Sequence, residues 1–304
     1  MRTGYLFSGR RWSGRALVAG GLLLASAGCS IRSLAINALA KSLAASGDVF
    51  ASDEDPELVR DATPFALKTM ETLLAEKPKH KGLLLSACRG FAQYAYAFVE
   101  TEAEELEEVD YAAASREYGR ALKLYLRARD YCLRSLELES PGIRGRLESF
   151  PEAAVVELDE ELVPLLFWTG ASWGGAISLG QDRPEIVVDL PAVRALIGRV
   201  FELDEAYDRG AVHGAMIVVE ALPEAMGGSP ERARHHFQRA VELSGGLDAG
   251  PYVILAESVS VAAQDWREFE SLLEQALAID PDGEPGLRLA NTIAQRRARR
   301  LLDR

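Results

Sequence analysis

From about residue 50 onward, apolar side chains recur at i, i+3, i+4 and i+7, and no stretch alternates with period two for long. That period gathers the apolar groups into one stripe of a helix and gives a strand no single face to bury. The residues filling the pattern are mostly Ala, Leu, Glu and Arg, all strong helix formers. Its breaks carry capping chemistry. Asp55-Pro56-Glu57 reads as N-cap, first helical residue and an acid placed well for the helix dipole, and Thr63-Pro64 and Ser229-Pro230-Glu231 have the same form. Stops fall at Pro141-Gly142, Gly227-Gly228 and Gly245-Gly246. The expected fold is all-α.

A repeat shows through the pattern. Ala233, Phe237 and Ala240 are followed by Trp266, Phe269, Leu273, Ala276 and Pro281, and Ala240 and Ala276 lie 36 residues apart. This resembles the second helix of the tetratricopeptide repeat, whose period is about 34 residues and whose small and large side chains nest between neighbours. Looser echoes are centred on Leu73, Ser135 and Val200, with early spacings nearly double the repeat. The expected architecture is therefore antiparallel helical hairpins stacked as degenerate tetratricopeptide-like repeats, an α-solenoid with a groove or channel.

The N-terminus reads as an address. Residues 1–28 hold Arg2, Arg10, Arg11 and Arg15 and no acid, and the run from Ala16 to Gly28 is apolar and small. A charged start, a short apolar core and small residues before a cut describe a secretory signal. The run falls short of the roughly 20 residues of a spanning helix, and charges are expected to disqualify every later apolar stretch. Cys29 follows directly, and the arrangement resembles the lipobox of bacterial lipoproteins, whose cysteine becomes the acylated N-terminus. Ser26 stands where leucine is usual, and Ser30 resembles the signal for outer-membrane sorting. The boundaries are a leader at 1–28, a lipid-anchored segment at 29–47 and a helical domain at 48–304. The chain has 34 basic and 46 acidic residues, a net charge of -12, which falls to -16 when the four leader arginines are removed. Such a polyanion is a poor nucleic-acid ligand and is expected to lack a basic face for anionic headgroups. The oxidising compartment permits pairing of Cys88 and Cys132, but each sits in its own apolar helical pattern, and two separate buried thiols are expected.

No catalytic, cofactor or metal constellation emerges, so the chain does not read as an enzyme. Adjacent His235 and His236 point to different helix faces and are expected on a solvated surface, and His80 lies in a charged turn. His213 stands in an apolar run, as a buried histidine or a functional one. Ser52-Asp53-Glu54-Asp55 lacks the spacing of a calcium loop, and residues 102–108 read as a solvated acidic helix or loop. Aromatics are more informative. Phe91, Tyr94 and Phe98 share one helix face, with Tyr96 on another. Trp168 and Trp173 accompany Gly170, Gly174 and Gly175, which in a helix imply close approach of a neighbouring helix or of a ligand; both remain open.

Several blocks in order carry a family resemblance: Ala51–Arg60, Pro64–Lys68, Gly82–Leu85, Gly90–Val99, Tyr125–Tyr131, Pro164–Trp173, Leu203–Glu205, Ala211–His213, Ala233–Phe237 and Pro251–Glu257. Together they look like the T component of TRAP (tripartite ATP-independent periplasmic) transporters, the TatT lipoproteins. The resemblance implies a helical protein tethered on the periplasmic side, which Ser30 would sort to the outer membrane, that partners a TRAP-type solute-binding protein. It further implies a cleft for a small apolar solute and a possible homo-oligomer. The expected lining is Phe91, Tyr94, Phe98, Trp168, Trp173, His213 and Tyr252, as contacts and not catalysts. The alternative is a lipid-anchored interaction scaffold without a small-molecule ligand. Ser26, Gly174 and Gly175 depart from the family pattern.

Overall fold

A computed structural model describes residues 47–303 and the isolated Ala38; the leader, Cys29 and most of the expected anchor segment lie outside the described residues. The helices are α1 (Gly47–Ala51), α2 (Pro56–Glu76), α3 (Lys81–Tyr94), α4 (Thr101–Leu106), α5 (Tyr111–Glu139), α6 (Ile143–Ser149), α7 (Pro151–Val155) and α8 (Val163–Leu179). They continue as α9 (Pro184–Val187), α10 (Leu190–Leu203), α11 (Tyr207–Glu220), α12 (Pro230–Leu243), α13 (Gly250–Leu255), α14 (Val261–Ala263), α15 (Trp266–Ala278) and α16 (Arg288–Leu302). Two π-helical segments interrupt this order, Ala95–Glu100 after α3 and Ala256–Ser260 after α13. No strand occurs among the described residues.

Local chemistry accounts for several boundaries. The side chains of Asp55, Asp110, Ser229 and Asp265 each accept a hydrogen bond from the backbone N–H three residues on, satisfying donors that a helix start leaves bare. Gly142, Gly227, Gly245 and Gly246 take the left-handed conformation at or beside the expected stops. Pro64 departs from expectation. It begins no helix but lies within α2, because Asp55 has already set the start and Val59 and Leu67, on either side of the proline, are both buried. The ladder runs on with one bond fewer.

Successive helices pack on one another: α2 on α3, α3 on α5, α5 on α8, α8 on α10, α11 on α12, and α13 and α16 on α15. One core of buried side chains runs from Leu67 to Val212 and a second from Ile217 to Ala298. Residues 160–179 are long and apolar enough to cross a membrane, contrary to the sequence expectation, yet that helix is mostly buried between α5 and α10. The glycines of α8 explain its position. A Cβ at Gly170 would stand 2.6 Å from Ile197 of α10, and one at Gly175 would stand 2.6 Å from the Tyr125 ring of α5. Helix approach, and not a ligand, fills the space beside those two glycines.

Cys88 and Cys132 form a disulfide, with Cα atoms 5.4 Å apart. The expectation of two separate thiols fails because each helix's own pattern is silent about where α3 and α5 cross. The bridge spans a sequence separation of 44, so its loss is expected to cost about 2–4 kcal/mol. Urea unfolding with and without reductant checks this, and the Cys88→Ala/Cys132→Ala variant should match the reduced protein.

Candidate ligand-handling cleft

Arg89, Gln93, Tyr96 and Glu100 are spaced four, three and four residues apart along α3 and the first π segment, so they share one face. At the near end of this strip the Arg89 guanidinium lies 5.6 Å over the Trp168 ring and donates to Gln93. Trp168 packs on Phe167, which also packs on Tyr207. Beyond Tyr207 the backbone turns left-handed at Asp208, Arg209 and Gly210, and Arg209 reaches Glu284 at 3.1 Å. Asp248, whose carboxyl is raised by burial, is coupled to Asp208 and Arg209.

At the far end the strip meets the last helix. Arg297 lies 5.5 Å over the Tyr96 ring and pairs with Glu104 at 2.6 Å and Glu257 at 2.9 Å. Arg300 also pairs with Glu104. Tyr125 donates to Glu100 at 2.7 Å. The two π segments therefore present Glu100 and Glu257 to one network. A π turn accommodates an extra residue and rotates the next turn of helix, a device frequent at functional sites. Tyr96 stays 40% exposed while burial raises its phenol pKa. Its ring is thus partly open to solvent and packed on one side by Arg297. Burial raises Glu100 despite Arg297 and the Tyr125 hydroxyl, and lifts Glu104 to about 7 against Arg297 and Arg300. Glu104 thus belongs to a desolvated ion-pair network, not to the solvated acidic helix expected from residues 102–108. Against the network, a shallow groove of about 410 Å³ is lined by Glu104, Glu108, Arg296 and Arg300.

The seven residues expected to line a cleft occupy several neighbourhoods. Phe91 stacks on Tyr131 beneath Arg127, and Tyr94 packs on Phe98 and receives a hydrogen bond from Arg120. Trp173 is 1% exposed, with Nε1 donating to Asp189 and Arg129 over its ring. Tyr252 meets Phe237 edge-on, and His213 lies in the α11–α12 contact. Trp168 alone of the seven touches the Arg89 strip directly. Spacing alone puts Tyr96 on a different face from Phe91, and that other face carries the strip.

His236 is buried, not on the solvated surface expected for it, because the α12 face that carries Ala233 and Ala240 packs inward. Its Nδ1 lies 2.9 Å from Nδ1 of His213, with Phe201 edge-on to both rings. Around the pair stand Glu205, 3.6 Å from His213 Nε2 and paired with Arg239, and Glu220, paired with Arg232. Desolvation, helped by His236, drives His213 down to about 4, and desolvation lowers His236 as well.

The unfolded imidazole of His213 takes up a proton near pH 6.5, which the folded one refuses until about pH 4, and His236 is shifted in the same direction. The stabilisation linked to neutral His213 is therefore complete above pH 6.5 and lost as pH falls toward 4. Denaturation across that range should show the slope, and His213→Asn should flatten it. Arg297→Met leaves Glu104 and Glu257 short of a cation and is expected to destabilise by about 3–5 kcal/mol; a loss below about 1 kcal/mol in urea unfolding would mean that other contacts hold the closure.

Among known proteins, an uncharacterized protein of Treponema pallidum (strain Nichols) is 31% identical over 298 residues, covering 91% of each chain. The family model described as TRAP transporter T-component matches residues 52–304, which include every residue of the strip and its closing network. The chain belongs to the TRAP transporter T-component family.

Proposed function

We propose that this chain is a lipid-anchored, periplasm-facing accessory of a TRAP-type uptake system. It docks a solute-binding protein and takes a small, largely apolar solute into the cleft between α3 and α16. Family membership places it with the transport system. The observation that carries the ligand reading is the strip from Arg89 and Trp168 to Tyr96, Glu100 and Arg297. The ring faces of Trp168 and Tyr96 offer apolar contact, and the guanidinium groups at either end orient one polar group of the solute. Of the residues expected to line the cleft, Trp168 takes part in this wall, while Phe91, Tyr94, Phe98, Trp173, His213 and Tyr252 support the surrounding helices from their own neighbourhoods. No covalent step is needed. A disulfide between α3 and α5 supports an oxidising compartment, the side of the membrane on which an acylated Cys29 would hold the chain. Stacked tetratricopeptide-like hairpins also dock on one another, so a homo-oligomer belongs to the same reading. The tight packing at Gly170 and Gly175 favours the scaffold alternative for that part of the wall.

Affinity capture from cross-linked envelopes, with the tag at the C-terminus, tests the docking. Recovery of a TRAP-type solute-binding protein is expected, and recovery of other envelope proteins without it would overturn the transport reading. For the ligand, a Trp168→Ala/Tyr96→Ala variant that stays folded should keep partner capture and lose at least about 90% of any small molecule that co-purifies with the wild type, as seen by mass spectrometry, because both ring faces are gone. Retention of that molecule would leave the scaffold.

A further inference from the structure

The charge of this acidic chain is not spread evenly. Residues 77–99 carry four basic and no acidic side chains besides His80, and residues 111–136 carry more basic than acidic ones. The five lysines among the described residues are Lys68, Lys77, Lys79, Lys81 and Lys123, on the second half of α2, the turn into α3 and the middle of α5. Contacts join these segments into one face. Arg134 of α5 donates to the Pro78 carbonyl at 3.1 Å, Lys81 reaches Glu139 at 2.7 Å, and Arg127 lies 3.6 Å from Glu71, which also pairs with Lys68. A shallow groove of about 390 Å³ runs along it, lined by Lys123, Leu126, Arg127, Asp130, Tyr131 and Arg134. The acids on this face, Glu71, Glu76, Glu117, Asp130 and Glu139, are outnumbered. The sequence expectation that no basic face exists is corrected here: helix packing assembles one from segments that are far apart in the chain.

We infer that this face rests on an anionic phospholipid surface. Its composition separates lipid from protein as the occupant, because protein interfaces are depleted in lysine, whereas flexible ammonium groups suit a diffuse layer of headgroup phosphates. Phe65, 80% exposed and one turn before Lys68 on α2, adds an apolar body for the headgroup boundary. The tether permits the pose. Seventeen residues separate Cys29 from Gly47, a reach of up to about 60 Å. α2, which leads from that end of the fold to the lysines, is only about 32 Å long. With the lipid at Cys29 as one attachment and this face as the second, the cleft between α3 and α16 is held in a fixed orientation to the membrane.

The test uses the chain from Ser30 onward, made without acyl groups and retaining every described residue, with vesicles that contain or lack phosphatidylglycerol. Co-sedimentation is expected only with the anionic vesicles and should be released by high salt. Each surface cation is worth about fivefold in affinity, so Lys79→Glu/Lys123→Glu should weaken binding at least about twentyfold. Arg267→Glu, at an exposed position near the start of α15, should leave it unchanged, with circular dichroism confirming that both variants are folded. Equal binding to neutral vesicles, or unaltered binding by the double variant, overturns the inference. So does a double variant that keeps vesicle binding while losing capture of the solute-binding protein, which would assign the face to an acidic protein.

Discussion

The last helix holds the two ends of the chain together. From α16, Arg296 pairs with Glu57, 239 residues earlier, Arg300 pairs with Glu104, 196 residues earlier, and Arg288 donates to the Ser52 carbonyl. The innermost of these groups are largely withdrawn from water, so each arginine that reaches them offsets a desolvation cost that nothing else nearby meets. The inner strip depends on this closure. With α16 in place, Tyr96 lies under Arg297 and Glu100 shares its charge network; with it displaced, both would lose that partner.

The rest of the molecule divides between rigid support and charge. Glycines 170 and 175 let α8 sit deep against α10 and α5, and the Cys88–Cys132 bridge pins α3 to α5 just before the strip begins. The strip is thus carried on the most firmly held part of the fold, while its opposite wall is fastened mainly by ion pairs. On the outside, lysines gather on the α2, α3 and α5 face, so a molecule of net charge -12 still presents a cationic side there.

What the sequence disclosed was local. Asp55 and Ser229 are readable as caps because a cap is made within four residues, and Gly227 and Gly245 as stops for the same reason. Pro64 misleads because a good signal for a helix start is overridden when an earlier cap and a buried face on both sides fix the helix through it. Spacing puts Tyr96 on its proper face, but which face looks inward is decided by α16, about 200 residues away. The pairing of His213 with His236, the disulfide and the basic face share that difficulty. Each is made by two or more helices, and no period within one helix encodes its neighbour. His236 had one faint signal, its place three residues after Ala233 and four before Ala240, both small residues at crossings.

An open helical array gains one unit at a time and is already useful when half built. A chain fastened by its final turn is not. Until residues 288–302 have docked, the acids on α2 and α4 lack their arginine partners from α16. A product cut short before residue 288 would therefore keep most of its helices and its whole first core yet lack the arginines that fasten the second core to the first helices. Quality control of such a protein reduces to whether its tail has docked.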